Sequence, residues 1–427
     1  MRLTPARSIK GRLTLPGDKS ISHRAALIAA LASGSSEIAN FSTAADCAST
    51  VACLQQLGAR VETVNGKLRF AGSQQLTAPN APLDCGNSGS TMRILAGVLA
   101  GHDFSAELTG DASLSARPMQ RIIEPLELMG ATFDSNDGKP PLRIRGSGKL
   151  VPITYQLPVA SAQVKSAILF AGLFAHGRTT VIEKLPSRDH TERLFNGFGV
   201  PVTTNKDLSI TIEGPARFTG GPITIPGDIS SAAYFIAAAM LLPASELTIE
   251  SVGLNPTRAA FLTVLRAWGA AISTSDLRDE RNEPAGTIHV AGGLHSDPED
   301  RILSGALIPS LIDELPLLAV VGTQISGGIQ IRDAGELRLK ESDRLQATAR
   351  NLRAMGAAVE EFDDGIAVSG PTRLRGATID SYGDHRIAMA FSVAALIAEG
   401  ETEIKGSGCA GISFPEFYHL LDSVAEK

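Results

Sequence analysis

Leu15-Pro16-Gly17-Asp18-Lys19-Ser20-Ile21-Ser22-His23-Arg24 is echoed later in the chain by Ile225-Pro226-Gly227-Asp228-Ile229-Ser230-Ser231-Ala232-Ala233. In the first copy a Pro-Gly turn breaks the apolar alternation of Leu13 and Leu15, and an alanine-rich helix is predicted over about 21–31. A helix N-terminus exposes unpaired N–H groups and about half a positive charge. Lys19, Ser20 and Arg24 at that end make a candidate oxyanion or phosphate site. Ser20 and Arg24 are four residues apart, so they share one helical face. Taken alone, the segment also reads as an N-capped helix with incidental surface charge.

Outward from these turns the chain repeats itself. Leu57-Gly58-Ala59, Met129-Gly130-Ala131, Phe198-Gly199-Val200, Trp268-Gly269-Ala270 and Met355-Gly356-Ala357 each end an amphipathic helix. The glycines, 72, 69, 70 and 87 residues apart, suit the positive φ that follows a helix C-terminus. Strands are predicted after them over 60–64, 132–134, 202–204, 271–274 and 358–362, with second strands such as 67–71 and 208–212. The long interval contains 276–286, charged and read as a loop. Before each amphipathic helix runs one of small apolar residues, such as 91–100, 162–175, 230–242 and 387–398; these look buried on most sides. Five copies and the chain ends suggest six β-α-β-α-β-β units, the sixth joining a C-terminal helix near 414–424 to an N-terminal strand near 12–15. Such units must pack together to bury their apolar faces. Three lie between the Pro-Gly turns. The expected domains are therefore 18–227 and a discontinuous 1–17 plus 228–427. Hinges near 15–19 and 225–229 would let the halves close.

Cations sit at the starts of several predicted helices. Arg117 precedes one beginning near Met119, and Arg188 and His190 precede the one ending at Phe198. Lys340-Glu341-Ser342-Asp343-Arg344 and Asp384-His385-Arg386 open two more. Cations there are unfavourable for an isolated helix, so the pattern suggests a bound anion; Lys340 and Arg344, one turn apart, would face it together. In Gly86-Asn87-Ser88-Gly89-Ser90-Thr91 the glycine at 89 lets a ligand approach the backbone, although a capped turn has the same composition. Ser161-Ala162-Gln163-Val164-Lys165-Ser166 offers polar groups at a further helix start, where an ordinary N-cap is the rival. Ser310-Leu311-Ile312-Asp313-Glu314-Leu315-Pro316 places two carboxylates in an apolar run. Asp313 and Glu341 form a candidate acid/base pair; neighbouring cations favour their charged forms and burial opposes them.

Bulk properties narrow the class. A 427-residue chain can bury a large core in two domains. The net charge of −6 and few aromatics argue against a nucleic-acid surface. Cys47, Cys53, Cys85 and Cys409 have neither metal-site nor disulfide spacing and read as reduced thiols of a cytoplasmic protein. Neither a signal-peptide core nor an apolar run of the ~20 residues that span a bilayer is evident. No nucleic-acid or membrane partner is expected.

The strings at 16–24, 86–91, 116–119, 161–163, 188–192, 340–344 and 383–386, in that order, resemble those of the enolpyruvyl transferase family, in its 5-enolpyruvylshikimate-3-phosphate synthase branch. The resemblance spans essentially the whole chain. It implies an α/β, two-domain inside-out barrel of six β-α-β-α-β-β repeats, three per domain. It implies enolpyruvyl transfer from phosphoenolpyruvate to shikimate 3-phosphate, with phosphate released through a tetrahedral intermediate, by a monomer with no metal or organic cofactor. Lys19, Ser20, Arg24, Ser161, Ala162, Gln163, Arg188, Asp313 and Lys340 would hold shikimate 3-phosphate. Lys19, Gly89, Arg117, Gln163, Arg344 and Arg386 would hold phosphoenolpyruvate. Asp313 would take the hydroxyl proton, and Glu341 with Lys19 would serve the methylene carbon. Two positions depart from some members: Ile412 stands near the place where those members carry a lysine, and Ala162 replaces a serine, with Arg188 available for phosphate. The rivals are the sister transfer to UDP-N-acetylglucosamine, which uses a loop cysteine, and a non-catalytic anion-binding scaffold.

Overall fold

The protein is represented by a computed structural model that describes residues 1–73, 75–294 and 300–427. Contacts divide it into two units. One comprises Gly17–Pro226 and Asp279–Glu283; the other comprises Met1–Pro16, Gly227–Arg278 and Pro284–Lys427.

A single plan recurs in the sheets of the first unit. Thr154–Gln156 lies parallel to Gly177–Ile182, which pairs antiparallel with Ser209–Gly214, itself antiparallel to Val202–Thr204. A parallel pair needs a crossover, and the Ala162–Gly172 helix supplies it. The His190–Gly197 helix then leads into the closing hairpin. Leu83–Asp84, Ser105–Thr109, Lys139–Arg145 and Thr132–Asn136 repeat the order around the Gly89–Ala100 and Gln120–Leu128 helices. In the second unit it recurs in Ile302–Leu303, Ile329–Ile331, Gly365–Val368 and Val359–Phe362. Gly58, Gly130, Gly199, Gly269 and Gly356 all have φ between 81° and 106°, which is why glycine ends each amphipathic helix.

Two copies exchange their first strands. Ser8–Thr14 runs into the Lys19–Leu31 helix, yet it pairs with Glu246–Gly253, setting Leu13 against Ile249. Pro222–Thr224 runs toward the Ile229–Leu241 helix, yet it pairs with Ser33–Ala39, setting Ile223 against Ile38. The chain therefore changes units at Pro16–Gly17 and again at Pro226–Gly227. In the first unit the Asp18 N–H donates to Pro226 O at 2.8 Å; in the second the Asp228 N–H donates to Pro16 O at 3.1 Å. Gly17 is required by space, since a Cβ there would fall 1.9 Å from Asn40 O.

The sheet with Thr378–Asp380 and Thr402–Lys405 is completed by Arg2–Leu3, not by a strand near 12–15. The helix expected from 414 begins at Phe417. The segment 276–286 is not a loop: Ala270–Glu280 and Glu283–Leu294 form a hairpin whose tip, Asp279–Glu283, belongs to the Gly17–Pro226 unit. There the Arg281 guanidinium sits over the Phe198 ring at 4.8 Å and donates to Gly197 O at 2.8 Å. Charge alone suggested a solvated loop, but side-chain stacking and backbone carbonyls hold the tip.

Each unit has its own hydrophobic core. The small-residue helices are buried nearly throughout, at residues 21–31 of Lys19–Leu31, 229–240 of Ile229–Leu241 and 385–396 of His385–Ile397. Alanine and glycine permit that close approach. No single helix among the described residues is long and apolar enough to cross a membrane.

Two predictions test this packing. A Cβ at Gly97, inside the Gly89–Ala100 helix, would lie 2.1 Å from Ala167 O. Glycine to alanine ordinarily favours a helix, but here Gly97→Ala is expected to destabilise by about 1–3 kcal/mol through overpacking, read as a lower urea midpoint. His23 is buried, with Nδ1 2.7 Å from Thr50 Oγ1. Burial pushes its pKa down to about 3; Asp46 opposes this, while Lys19 and Arg24 reinforce it. The unfolded imidazole, near 6.5, gains a proton that the folded one refuses until about pH 3. This burial of the neutral ring therefore costs no stability above about pH 6.5 and as much as ~1.4 kcal/mol per pH unit below it. His23→Gln should flatten that part of a stability-against-pH series.

Candidate active site

In the Gly17–Pro226 unit, cations gather at helix starts. Asp18 caps the Lys19–Leu31 helix by accepting from the Ile21 N–H at 2.9 Å. The half-buried Lys19 points its ammonium at Asp46, 2.9 Å away, in the first turn of the Ala45–Gln56 helix. Ser20 follows, also half-buried. Arg24, one turn on, is only 4% exposed. Its guanidinium donates to Thr191 Oγ1 at 2.7 Å, Ser166 Oγ at 2.8 Å and Ser20 O at 2.8 Å. Burial lowers its pKa to about 10, opposed by Glu192 and reinforced by Arg188.

The second gathering surrounds Gly89, first residue of its helix, which Ser88 caps by accepting from the Thr91 N–H. A Cβ at Gly89 would lie 3.0 Å from Arg93 Nη1 and 3.4 Å from Arg117 Nη1. Bare backbone at this position leaves room beside two guanidiniums for a small anion. Arg117 donates to Asn87 Oδ1 at 2.9 Å, and Arg93 donates to Gln163 Oε1 at 2.6 Å. The Gln163 amide donates in turn to Ser90 Oγ at 2.9 Å. Ser161 caps the Ala162–Gly172 helix, and Ala162 O accepts from Ser166 Oγ at 2.6 Å. Arg188 is half-buried ahead of the His190–Gly197 helix.

In the other unit, Asp313 lies in a 108° break between Gly305–Leu311 and Leu315–Gly322. Its carboxylate is 3.2 Å from Arg344, 3.8 Å from Arg386 and 4.0 Å from Arg258. Arg344, only 2% exposed at its side chain, also meets Glu341 at 2.7 Å and Asp384 at 2.8 Å. Burial opposes the Arg344 charge, but Asp384, Glu341 and Asp313 outweigh it and raise its pKa. Arg386 is likewise held protonated against burial, with its Nη1 3.5 Å from the Tyr234 hydroxyl. The pKa of Lys340 is lowered, chiefly by burial, which Asp313 opposes.

Three sequence expectations change here. The helix-start cations do not depend on a ligand for all their compensation. Asp18, Asp343 and Asp384 cap the helices that carry Lys19, Arg344 and Arg386. Lys340 and Arg344 do not share a helical turn, because the helix begins at Arg344 and 340–343 precede it. His190 is buried with its Nδ1 2.7 Å from Glu283 Oε1, so it faces a carboxylate of its own unit.

Sequence reasoning missed Asp46, Arg93 and Arg258. Arg93 was within reach of it, since it stands one helical turn after Gly89. Asp46 and Arg258 come from other elements, and nothing in their local sequence marks them. It also missed Lys165, which is buried between Glu183 at 2.9 Å and Glu192 at 2.7 Å.

Comparison with known proteins shows the family of the whole chain. The family described as EPSP synthase (3-phosphoshikimate 1-carboxyvinyltransferase) matches residues 3–421. A 3-phosphoshikimate 1-carboxyvinyltransferase of Koribacter versatilis is 51% identical, over 100% of this chain and 99% of that protein. One of Solibacter usitatus is 49% identical, with the same coverage. The solved EPSP synthase of Acinetobacter baumannii superposes with a TM-score of 0.88 at 38% identity, covering 99% of this chain and 97% of that one. With its match from residue 3 to residue 421 and relatives near half identity along its whole length, the chain belongs to the EPSP synthase family.

Proposed function

We propose that the chain transfers the enolpyruvyl group of phosphoenolpyruvate to the 5-hydroxyl of shikimate 3-phosphate and releases phosphate. Family membership supports the reaction class. The observation that carries the reading is the bare backbone of Gly89 under Arg93 and Arg117, in a protein whose net charge is −6. Both substrates are multiply anionic. Two unit charges 4 Å apart repel by about 4 kcal/mol at an effective dielectric near 20, so fixed cations are needed to hold them together. We also read the sheets as six β-α-β-α-β-β copies, three in each unit, forming the inside-out barrel of the family.

In this reading Arg117, Gly89 and Gln163, with Lys19, Arg344 and Arg386, receive phosphoenolpyruvate. Ser20, Arg24, Ser161, Ala162, Gln163, Arg188 and Lys340, with Lys19 and Asp313, receive shikimate 3-phosphate. Asp313 accepts the proton of the attacking hydroxyl, whose oxygen bonds to C2 of phosphoenolpyruvate. Glu341 and Lys19 deliver a proton to the methylene carbon, giving the tetrahedral intermediate. Loss of a proton from that carbon and departure of phosphate restore the double bond. Positioning two reactants in this way is worth roughly 7–11 kcal/mol of barrier.

The sister transfer to UDP-N-acetylglucosamine is less well supported. Cys47, Cys53 and Cys85 are buried, and burial raises the Cys47 and Cys409 thiols away from the reactive thiolate.

Phosphate release from phosphoenolpyruvate is expected with shikimate 3-phosphate and not with UDP-N-acetylglucosamine; the opposite preference would reject the reading. Asp313→Ala is expected to lower kcat by about 10²–10⁴-fold and to weaken the calorimetric Kd for shikimate 3-phosphate far less. A loss confined to affinity would remove Asp313 from its assigned role.

A further inference from the structure

Three guanidiniums face Asp313, and they differ in what else they do. Arg344 is shared with Glu341 and Asp384, and Arg386 reaches Tyr234. On the reading above, both also turn toward phosphoenolpyruvate. Arg258 has a different setting. It precedes the Ala260–Ala267 helix, and its side chain is 3% exposed. Its Nη2 donates to Ser230 Oγ, and the Ser230 hydroxyl donates to Glu314, the neighbour of Asp313. Asp228, which caps the helix carrying Ser230, lies 3.9 Å from the same guanidinium. Arg258 is thus tied to two elements while its Nη1 stays 4.0 Å from Asp313.

We propose that Arg258 is a positioning residue: it keeps the Asp313 carboxylate charged and fixed in the helix break while Arg344 and Arg386 bind substrate. The inference rests on Asp313 being the proton acceptor. The Arg258–Ser230–Glu314 bridge reaches the residue beside Asp313, so it constrains backbone and charge together. The remaining charges round Asp313 do not replace it. Lys340, Arg344 and Arg386 each interact with Asp313, but Glu341 and Asp384 also act on Arg344, Glu314 and Asp228 on Arg386, and Glu341 and Glu336 on Lys340. Burial pushes the Tyr234 hydroxyl up to about 12, so that group stays neutral. Without Arg258 one of the three guanidiniums within 4.0 Å of Asp313 is lost, which shifts the balance toward its protonated form.

The test is the pH dependence of phosphate release from phosphoenolpyruvate and shikimate 3-phosphate. Wild type, Arg258→Gln and Arg258→Lys are compared, and folding is checked by circular dichroism. In Arg258→Gln the acid limb of kcat/KM should move up by about one pH unit, and kcat should fall about tenfold with KM nearly unchanged. Arg258→Lys should return the limb to its wild-type position while kcat stays several-fold low, because the fork to Ser230 is lost. An unmoved limb in the glutamine variant, or a loss carried by KM alone, overturns the proposal. If that variant does not fold, the lysine variant decides: wild-type kcat or a displaced limb overturns it. Wild-type protein inactive on these substrates would instead reject the reaction assignment.

Discussion

Arg344 is almost wholly buried, and three carboxylates from three segments converge on it: Asp313, Glu341 and Asp384. A buried charge stripped of a partner costs roughly 3–5 kcal/mol, so the segments that supply those carboxylates must keep their places. The helix break at Asp313, the non-helical stretch before Arg344 and the capped start of His385–Ile397 are all bound by this requirement. Candidate acid, base and anion-binding groups of this unit are therefore parts of one network.

The two units meet the electrostatic requirement differently. Around Gly89 two guanidiniums crowd a backbone position without a side chain, and among the groups they donate to are Asn87, Ser113, Gln163 and Pro118 O. Around Asp313 the arginines are balanced by acids. The first arrangement suits capture of an anion. The second suits proton transfer, where carboxylates must be present but held in check. Both can exist in an acidic protein because the cations are local to helix starts, and aspartate caps offset several of them.

Much of the repeat was legible in the chain. Glycines after amphipathic helices demand positive φ, and all five adopt it. Alanine-rich stretches read as buried helices because small side chains permit close approach, and Gly97 against Ala167 shows how close. Periodicity failed where the partner was remote. The hairpin at 270–294 looked like a charged loop because Arg281 is satisfied by Phe198 and Gly197, which lie far away along the chain. The strand exchange was equally hidden. Ser8–Thr14 carries an ordinary alternation, and nothing local tells it to pair with Glu246–Gly253.

The site divides in the same way. The candidates Lys19, Arg24, Gly89, Arg117, Gln163, Arg344 and Arg386 could be named from motifs at or near predicted helix starts, and Asp313 and Glu341 as a candidate acid/base pair. Asp46, Arg93 and Arg258 gain their meaning from what they touch. Glycine-ended helices, small-residue helices and candidate anion-binding groups can be read from the chain alone, because propensity, capping and burial patterns act over a few residues. Which carboxylate meets which guanidinium emerges from the folded arrangement, because a charge pair depends on distances of a few ångströms between segments far apart along the chain.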